Sequence, residues 1–272
     1  MRNLRAKMIV VCLVVLGIAV TSCMASKKLS GQTISRTQKV DYYNKVKSMS
    51  FVDVVFTQGK TPSARIEGDK SVVDCVEVKQ VGDELVVGMK KGTSINYDGD
   101  AKLKVYLTSP DLVAVTLVGS GDFDAKGSLD TDGLDIKVTG SGDAEFGKLV
   151  CDNFSCLILG SGDVDVRQAD AKQSQLTVNG SGDVKMSLAN AESVDIKVNG
   201  SGDVRARYSR CSSIDCLVNG SGDVALSLAD CGDVSCRLNG SGDVELSGNA
   251  RSLSKSVYGS GDVKKLGLKL EK

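Results

Sequence analysis

The chain has 272 residues, 34 basic and 34 acidic, for a formal charge of zero; 41% are hydrophobic, 4% aromatic, and both His and Trp are absent. Without His there is no Ser-His-Asp or Cys-His catalysis and no His-ligated zinc, and no dominant basic stretch supports nucleic acid as a partner. Thirty glycines against two prolines indicate repeated tight turns rather than polyproline or collagen-like structure.

The N-terminus reads as a secretion signal. Arg2, Arg5 and Lys7 precede an apolar run over residues 8–20. That run is shorter than the span of about 20 residues that crosses a bilayer and fits a signal hydrophobic segment. Val20-Thr21-Ser22-Cys23 then resembles a bacterial lipobox. The resemblance implies a signal peptide over 1–22, a lipid on Cys23 and a membrane-anchored envelope protein. No Asp follows Cys23, which resembles outer-membrane sorting and leaves the side of that membrane open. Removing 1–22 leaves 31 basic and 34 acidic residues, a net charge of −3. Residues 23–45, small and polar after the cysteine, are expected to be lipid anchor and tether.

Residues 46–272 are expected to form one β domain. Over 46–118 short β-rich runs at 51–56, 64–67, 76–81, 84–88 and 103–107 alternate with turn signals: Gly59-Lys60-Thr61-Pro62, Gly68-Asp69, Gly82-Asp83 and Asp98-Gly99. Asp69 is placed to N-cap a helical turn over 71–75. This part is expected to be irregular and to cap the remainder of the domain.

From residue 119 the chain repeats. Gly-Ser-Gly-Asp occurs eight times, starting at Gly119, Gly140, Gly160, Gly180, Gly200, Gly220, Gly240 and Gly259, in steps of 21, 20, 20, 20, 20, 20 and 19 residues. Before one motif Val194, Ile196 and Val198 alternate with Asp195, Lys197 and Asn199; after another Val184, Met186 and Leu188 alternate with Lys185 and Ser187. That is the period of a strand, so each unit holds two short strands flanking the motif. Identical residues in one column favour units stacked in register. The expected fold is all-β, a right-handed parallel β-helix or β-solenoid with 20-residue coils; an antiparallel prism or sandwich is the alternative. Parity puts Val198, Gly200, Gly202 and Val204 inward, the glycines bending the chain or taking positive φ. Outward ladders result: Asn179 to Asn239, Ser120 to Ser260 and Asp122 to Asp262. Lys265 falls in the apolar column of Phe146, Val166, Met186 and Leu226 and marks the end of the core.

These motifs, after Val52-Asp53-Val54-Val55-Phe56-Thr57-Gln58-Gly59 and with Leu103-Lys104-Val105-Tyr106-Leu107-Thr108-Ser109-Pro110 and Asp111-Leu112-Val113-Ala114-Val115-Thr116-Leu117-Val118 preceding the first repeat, resemble the "putative auto-transporter adhesin, head GIN domain" family over roughly residues 46–270. The resemblance implies a β-helical envelope lipoprotein and supplies no catalytic motif.

Two residue sets are candidates for chemistry. Stacked carboxylates repel by about 1 kcal/mol per neighbouring pair in water, so the Asp column needs partners. Local Gly and Ser N–H groups in Asx-type turns are one answer. Calcium on Asp143, Asp163, Asp183, Asp203, Asp223 and Asp243 is the other, although calcium β-rolls repeat every nine residues. Among the nine cysteines, Cys12 lies in the signal, Cys23 at the lipid site and Cys75 alone. The rest form Cys-x4-Cys pairs: Cys151–Cys156, Cys211–Cys216 and Cys231–Cys236. Intervening repeats change both positions together, to Ala171/Leu176 and Ala191/Ile196. Disulfides within a coil and buried free thiols both remain open; zinc is disfavoured without Cys-x2-Cys.

Asp203, Arg205 and Arg207 would suit a polysaccharide-cleaving face, but repetition argues against a unique catalytic constellation. The expected function is therefore a non-enzymatic envelope lipoprotein without cofactor, an adhesive or scaffolding solenoid presenting flat faces to an extended glycan or a protein. The alternative is a calcium-binding or polysaccharide-acting β-helix.

Overall fold

A computed structural model describes residues 29–93 and 102–271. The signal segment, Cys12, Cys23 and the Asp98-Gly99 turn lie outside the described residues. The elements in chain order are β1 (Thr33–Gln38), β2 (Lys45–Ser48), β3 (Asp53–Gln58), β4 (Ser63–Asp69), α1 (Lys70–Val73), β5 (Val76–Val81), β6 (Glu84–Met89), β7 (Lys104–Ser109), β8 (Ala114–Leu117), β9 (Phe123–Asp130) and β10 (Gly133–Val138). Next come β11 (Ala144–Ile158), β12 (Val164–Val178), β13 (Val184–Ala189), β14 (Ser193–Val198), β15 (Val204–Ser209), β16 (Ser213–Val218), β17 (Val224–Leu238), β18 (Val244–Val257), β19 (Val263–Lys265) and β20 (Lys269–Leu270).

From β8 onward each strand pairs in parallel with its counterpart one coil away, as the stacked reading requires. Val164 faces Val184, Val184 faces Val204, and Val204 faces Val224. The first strand of each coil builds one face through β9, β11, β12, β13, β15, β17, β18 and β19. The second builds the opposite face through β8, β10, β11, β12, β14, β16, β17 and β18, because the long strands β11, β12, β17 and β18, of 14 or 15 residues, run through both faces. The alternating apolar side chains meet between the faces: Val164, Val166, Leu176 and Val178 are all buried. Phe56, Phe123 and Phe146 stack at the N-terminal end, with ring centroids 6.3 and 5.7 Å apart. Lys265 is the register partner of Leu246, so the apolar column ends on a charge as expected.

The stack starts earlier than the repeat does. β2 pairs with β8 and β3 with β9, both in parallel, so residues 45–58 form a first coil. The chain then runs into an insertion that covers the open side of this coil: β6 pairs in parallel with β2 and β7 with β3, while β4 runs antiparallel to β7 and β5 to β6, and the path rejoins the repeating coils at β8. Thus 46–118 is not wholly a cap: it is one coil interrupted by an insertion. The tether expectation for 23–45 is also corrected. Thr33–Gln38 is an edge strand antiparallel to β4; Ile34 is its one strongly apolar side chain, too little alternation to signal a strand. The helical turn after Asp69 is present, with the Asp69 side chain accepting from the Ser71 N–H.

The motif glycines are required by close approach, not by positive φ. None of them has φ in the left-handed region. A Cβ on Gly202 would lie 2.1 Å from the carbonyl oxygen of Gly182, and one on Gly200 2.0 Å from that of Gly180. The coils are packed backbone on backbone at this corner. The left-handed residues sit at the other corner instead, where Asn190, Arg210 and Asp230 take φ of 64°, 54° and 54°.

Candidate functional site

The Asp column is a ladder bound from coil to coil. The main-chain N–H of Asp143 donates to Oδ1 of Asp122 at 2.9 Å; Asp163 donates to Asp143 at 2.8 Å and Asp183 to Asp163 at 2.7 Å. The pattern continues from Asp203 to Asp183, Asp223 to Asp203, Asp243 to Asp223 and Asp262 to Asp243, all at 2.8–2.9 Å. Each carboxylate thus holds the next coil's backbone, not the local Gly and Ser N–H groups that an Asx turn would use. Asp122 in turn donates its N–H to Oδ1 of Asp53 at 3.2 Å. Ser50-Phe51-Val52-Asp53 is therefore a degenerate first rung, and its signal was the strand alternation after Asp53 that matches the one after Asp122.

In four rungs the second oxygen meets a cation, which offsets part of the stacking repulsion. Arg205 donates to Oδ2 of Asp203 at 2.9 Å and reaches Oδ2 of Asp183 at 3.7 Å. Lys104 lies 4.0 Å from Oδ2 of Asp53, and Lys264 bonds Oδ2 of Asp243. The Lys264 ammonium, with the Asp262 N–H, holds the Asp243 carboxyl below the usual carboxylate value. Among the described residues no three His, Cys, Asp or Glu side chains converge as a metal cluster. In the calcium set (Asp143, Asp163, Asp183, Asp203, Asp223, Asp243), every Oδ1 is already an acceptor for protein N–H.

The Asn ladder runs beside it. Nδ2 of Asn199 donates to Oδ1 of Asn179, Asn219 to Asn199 and Asn239 to Asn219, at 2.7, 2.7 and 2.8 Å. A ladder at the opposite corner is silent in the sequence. Asn190 donates to Asp170 and Arg210 to Asn190, each at 2.8 Å. These polar side chains differ from coil to coil, so no repeated letter marks the column.

The cysteines of the three Cys-x4-Cys pairs are buried and free. For Cys211, Cys216, Cys231 and Cys236 the sulfur neighbour lies across coils, not within them, whereas Cys151 and Cys156 face Ala171 and Leu176. Cys216 is the register partner of Cys236, and Cys211 shares a hydrogen bond with Cys231. The Cys211–Cys216, Cys231–Cys236 and Cys151–Cys156 disulfides are not formed in the structure, and a further buried side chain, Ile214, Val234 or Phe154, stands between the two cysteines along each coil. Burial pushes the Cys156 thiol up to about 12. The hydrogen bond between Cys211 and Cys231, together with burial, holds the Cys211 thiol well above its ordinary value. Asp203, Arg205 and Arg207 do lie on one face, where Asp203 is engaged by Arg205 and by the Asp223 N–H.

Comparison with known proteins agrees with this architecture. No curated protein matches the chain. A putative adhesin from Bacteroides fragilis superposes with a TM-score of 0.71 at 23% identity, covering 88% of this chain and 99% of that one. A putative adhesin from Parabacteroides merdae gives 0.73 at 20%, covering 88% and 99%. A putative lipid binding protein from Parabacteroides distasonis gives 0.72 at 21%, covering 88% and 100%. At these identities the likeness is one of fold. Residues 42–211 and 209–272 match the family described as "Putative auto-transporter adhesin, head GIN domain", and the chain belongs to that family.

Proposed function

We propose that this protein is a non-enzymatic β-solenoid of the bacterial cell envelope, tethered by a lipid on Cys23, whose polar faces bind an extended ligand. The observation that carries the non-enzymatic reading is the Asp ladder. Its carboxylates are the most repeated reactive groups in the chain, and they are engaged in joining coils. A group repeated in every coil and occupied in joining them builds a surface, whereas a catalytic constellation is a unique cluster of groups with perturbed titration in a cleft. The family and the adhesin neighbours support a binding role.

The envelope anchor is tested by expressing the full chain and the Cys23→Ala variant in bacteria fed a labelled fatty acid. The wild type takes up label and fractionates with membranes, and the variant does neither. Label retained on Cys23→Ala sinks the anchor. The binding role is tested by screening the purified chain on arrayed glycans and envelope proteins. Turnover of a polysaccharide, rather than retention, would replace this reading with the enzymatic one.

A further inference from the structure

On the first face of the coils Arg167 pairs with Glu145, Lys185 with Asp165 and Arg205 with Asp203, whereas Arg207 has no such partner among the described residues. Lys185 and Arg205 are direct register partners on β13 and β15. Two like charges about 4.8 Å apart destabilise a sheet unless something offsets them. Arg205 is held by Asp203 and Asp183, and Lys185 lies 3.9 Å from Asp165. Arg207, two residues along the same exposed face, has no acid within ion-pair distance among the described residues.

The backbone explains why these side chains border a hollow. In register against β13, β12 carries an extra residue at Arg167-Gln168, a bulge between Val166 and Ala169. A bulge bends its strand out of the local plane. The floor beyond it is made of small side chains: Ser187 and Ser227 are the register partners of Arg207 on either side, and Ala225 is that of Arg205. The result is an open trough of about 450 Å³ walled by Arg167, Lys185, Arg205 and Arg207, with Asp165 its one acid. It continues, through Ser187, Arg207 and Ser227, into an adjoining hollow of about 560 Å³ with Lys148 and Arg210 on its rim.

We propose that this trough binds an acidic linear polysaccharide, its carboxylates paired with Arg207 and with the Lys185–Arg205 stack. The inference rests on the ligand-binding reading above and names the chemistry of its ligand. An unpaired guanidinium flanked by serine hydroxyls suits a carboxylate that takes two parallel N–H bonds. Cations on successive coils, continuing into a second hollow, suit a polymer of recurring charge better than a single small ion. An anionic lipid surface fits less well. The exposed large apolar side chains that would meet acyl chains, such as Tyr42, Phe51, Leu159 and Tyr258, lie outside this trough.

The test is retention of the purified chain in gels containing polygalacturonate, with neutral dextran as control, at low and high salt. The expected result is retardation by polygalacturonate alone, weakened by salt. Arg207→Ser should lower affinity about tenfold, and adding Lys185→Ser should lower it further, with unchanged circular dichroism. Arg237→Ser removes the same charge from the opposite exposed face and should leave binding intact. Equal loss with Arg237→Ser, equal retardation by dextran, or no effect of Arg207→Ser overturns the proposal. So does capture by phosphatidylglycerol vesicles without polygalacturonate binding. Dextran binding insensitive to Arg207→Ser would end this inference while leaving the broader ligand-binding role standing.

Discussion

The regular coils and the inserted N-terminal segment solve the same problem differently. In the coils every rung is held by the same small set of contacts: a glycine corner, an Asp carboxylate on the next N–H, and apolar columns. The insertion relies on unique anchors. The Asp69 carboxylate accepts from the Ser30, Gly31 and Ser71 N–H groups and from the Ser30 and Ser71 hydroxyls. Tyr43, fully buried, donates its hydroxyl to the Thr108 carbonyl at 2.8 Å. Gln58 bridges the Pro110 and Asp130 carbonyls. Repetition distributes stability, while a unique anchor concentrates it, and substitutions should tell the two apart.

The largest effect is expected at a motif glycine. Gly202→Ala puts a Cβ against backbone that no rotamer change can move, so the coils must part. Overpacking typically costs about 1–3 kcal/mol, and a clash with fixed backbone belongs at the upper end, about 3 kcal/mol, read as a lower denaturant midpoint. Gly82→Ala, in the turn between β5 and β6, has positive φ but nothing within 4 Å and should cost about 1 kcal/mol. Equal costs would mean that the corner does not set the coil spacing.

Next comes the anchor of the insertion. Burial raises the pKa of Asp69, but the hydrogen bonds from Ser71 and Ser30 outweigh it and hold the group well below the usual carboxylate value. Arg251, with Ser252, holds Asp233 at about 2. A depressed folded pKa gives stability that is complete above the unfolded value near 4 and is lost as pH falls through the folded value. Acid should therefore destabilise the wild type progressively from about pH 4 downward. Asp69→Ala should speed hydrogen exchange in β1 and β4 at neutral pH while leaving β13 to β16 protected. Uniform acceleration would erase the distinction between the two regions.

A ladder substitution should be milder. Asp183→Ala leaves the Asp203 N–H without its acceptor and should cost about 1 kcal/mol. Asp183→Asn keeps an acceptor oxygen and removes a like charge, so its denaturation midpoint should stay within about 0.5 kcal/mol of wild type. The smallest effect is expected from metal: calcium and EDTA should give the same melting temperature. A large upward shift with calcium, abolished by Asp183→Asn, would establish the metal reading. Mild oxidation with a small disulfide, followed by peptide mapping, should link Cys216 to Cys236 rather than to Cys211.

The same contrast governs how much of the molecule is legible in its sequence. A repeated letter exposes a column, so the stacking, the Asp and Asn ladders and the terminal Lys265 are readable from the residues alone. The bonding partner of each Asp carboxylate is not, because the donor lies one coil away in space and 20 residues away in sequence. Asp53 is hidden because Phe51 and Val52 stand where later rungs have Ser and Gly. The strand at 33–38 is hidden because an exposed edge needs little apolar alternation. The cysteine partners are hidden because spacing along one coil is visible in the letters and register between coils is not.

The backbone-to-carboxylate rung also bears on how such a chain can change length. Every internal rung both receives and presents the same chemistry, so a new coil brings its own acceptor for the one after it. Excising residues 160–179 would join Leu159 to Gly180 and let the Asp183 N–H find Asp143 where it had found Asp163. Duplications or losses in units of twenty residues can thus lengthen or shorten the rod by about 4.8 Å at a time, changing how far its tip stands from its base without altering any surviving rung.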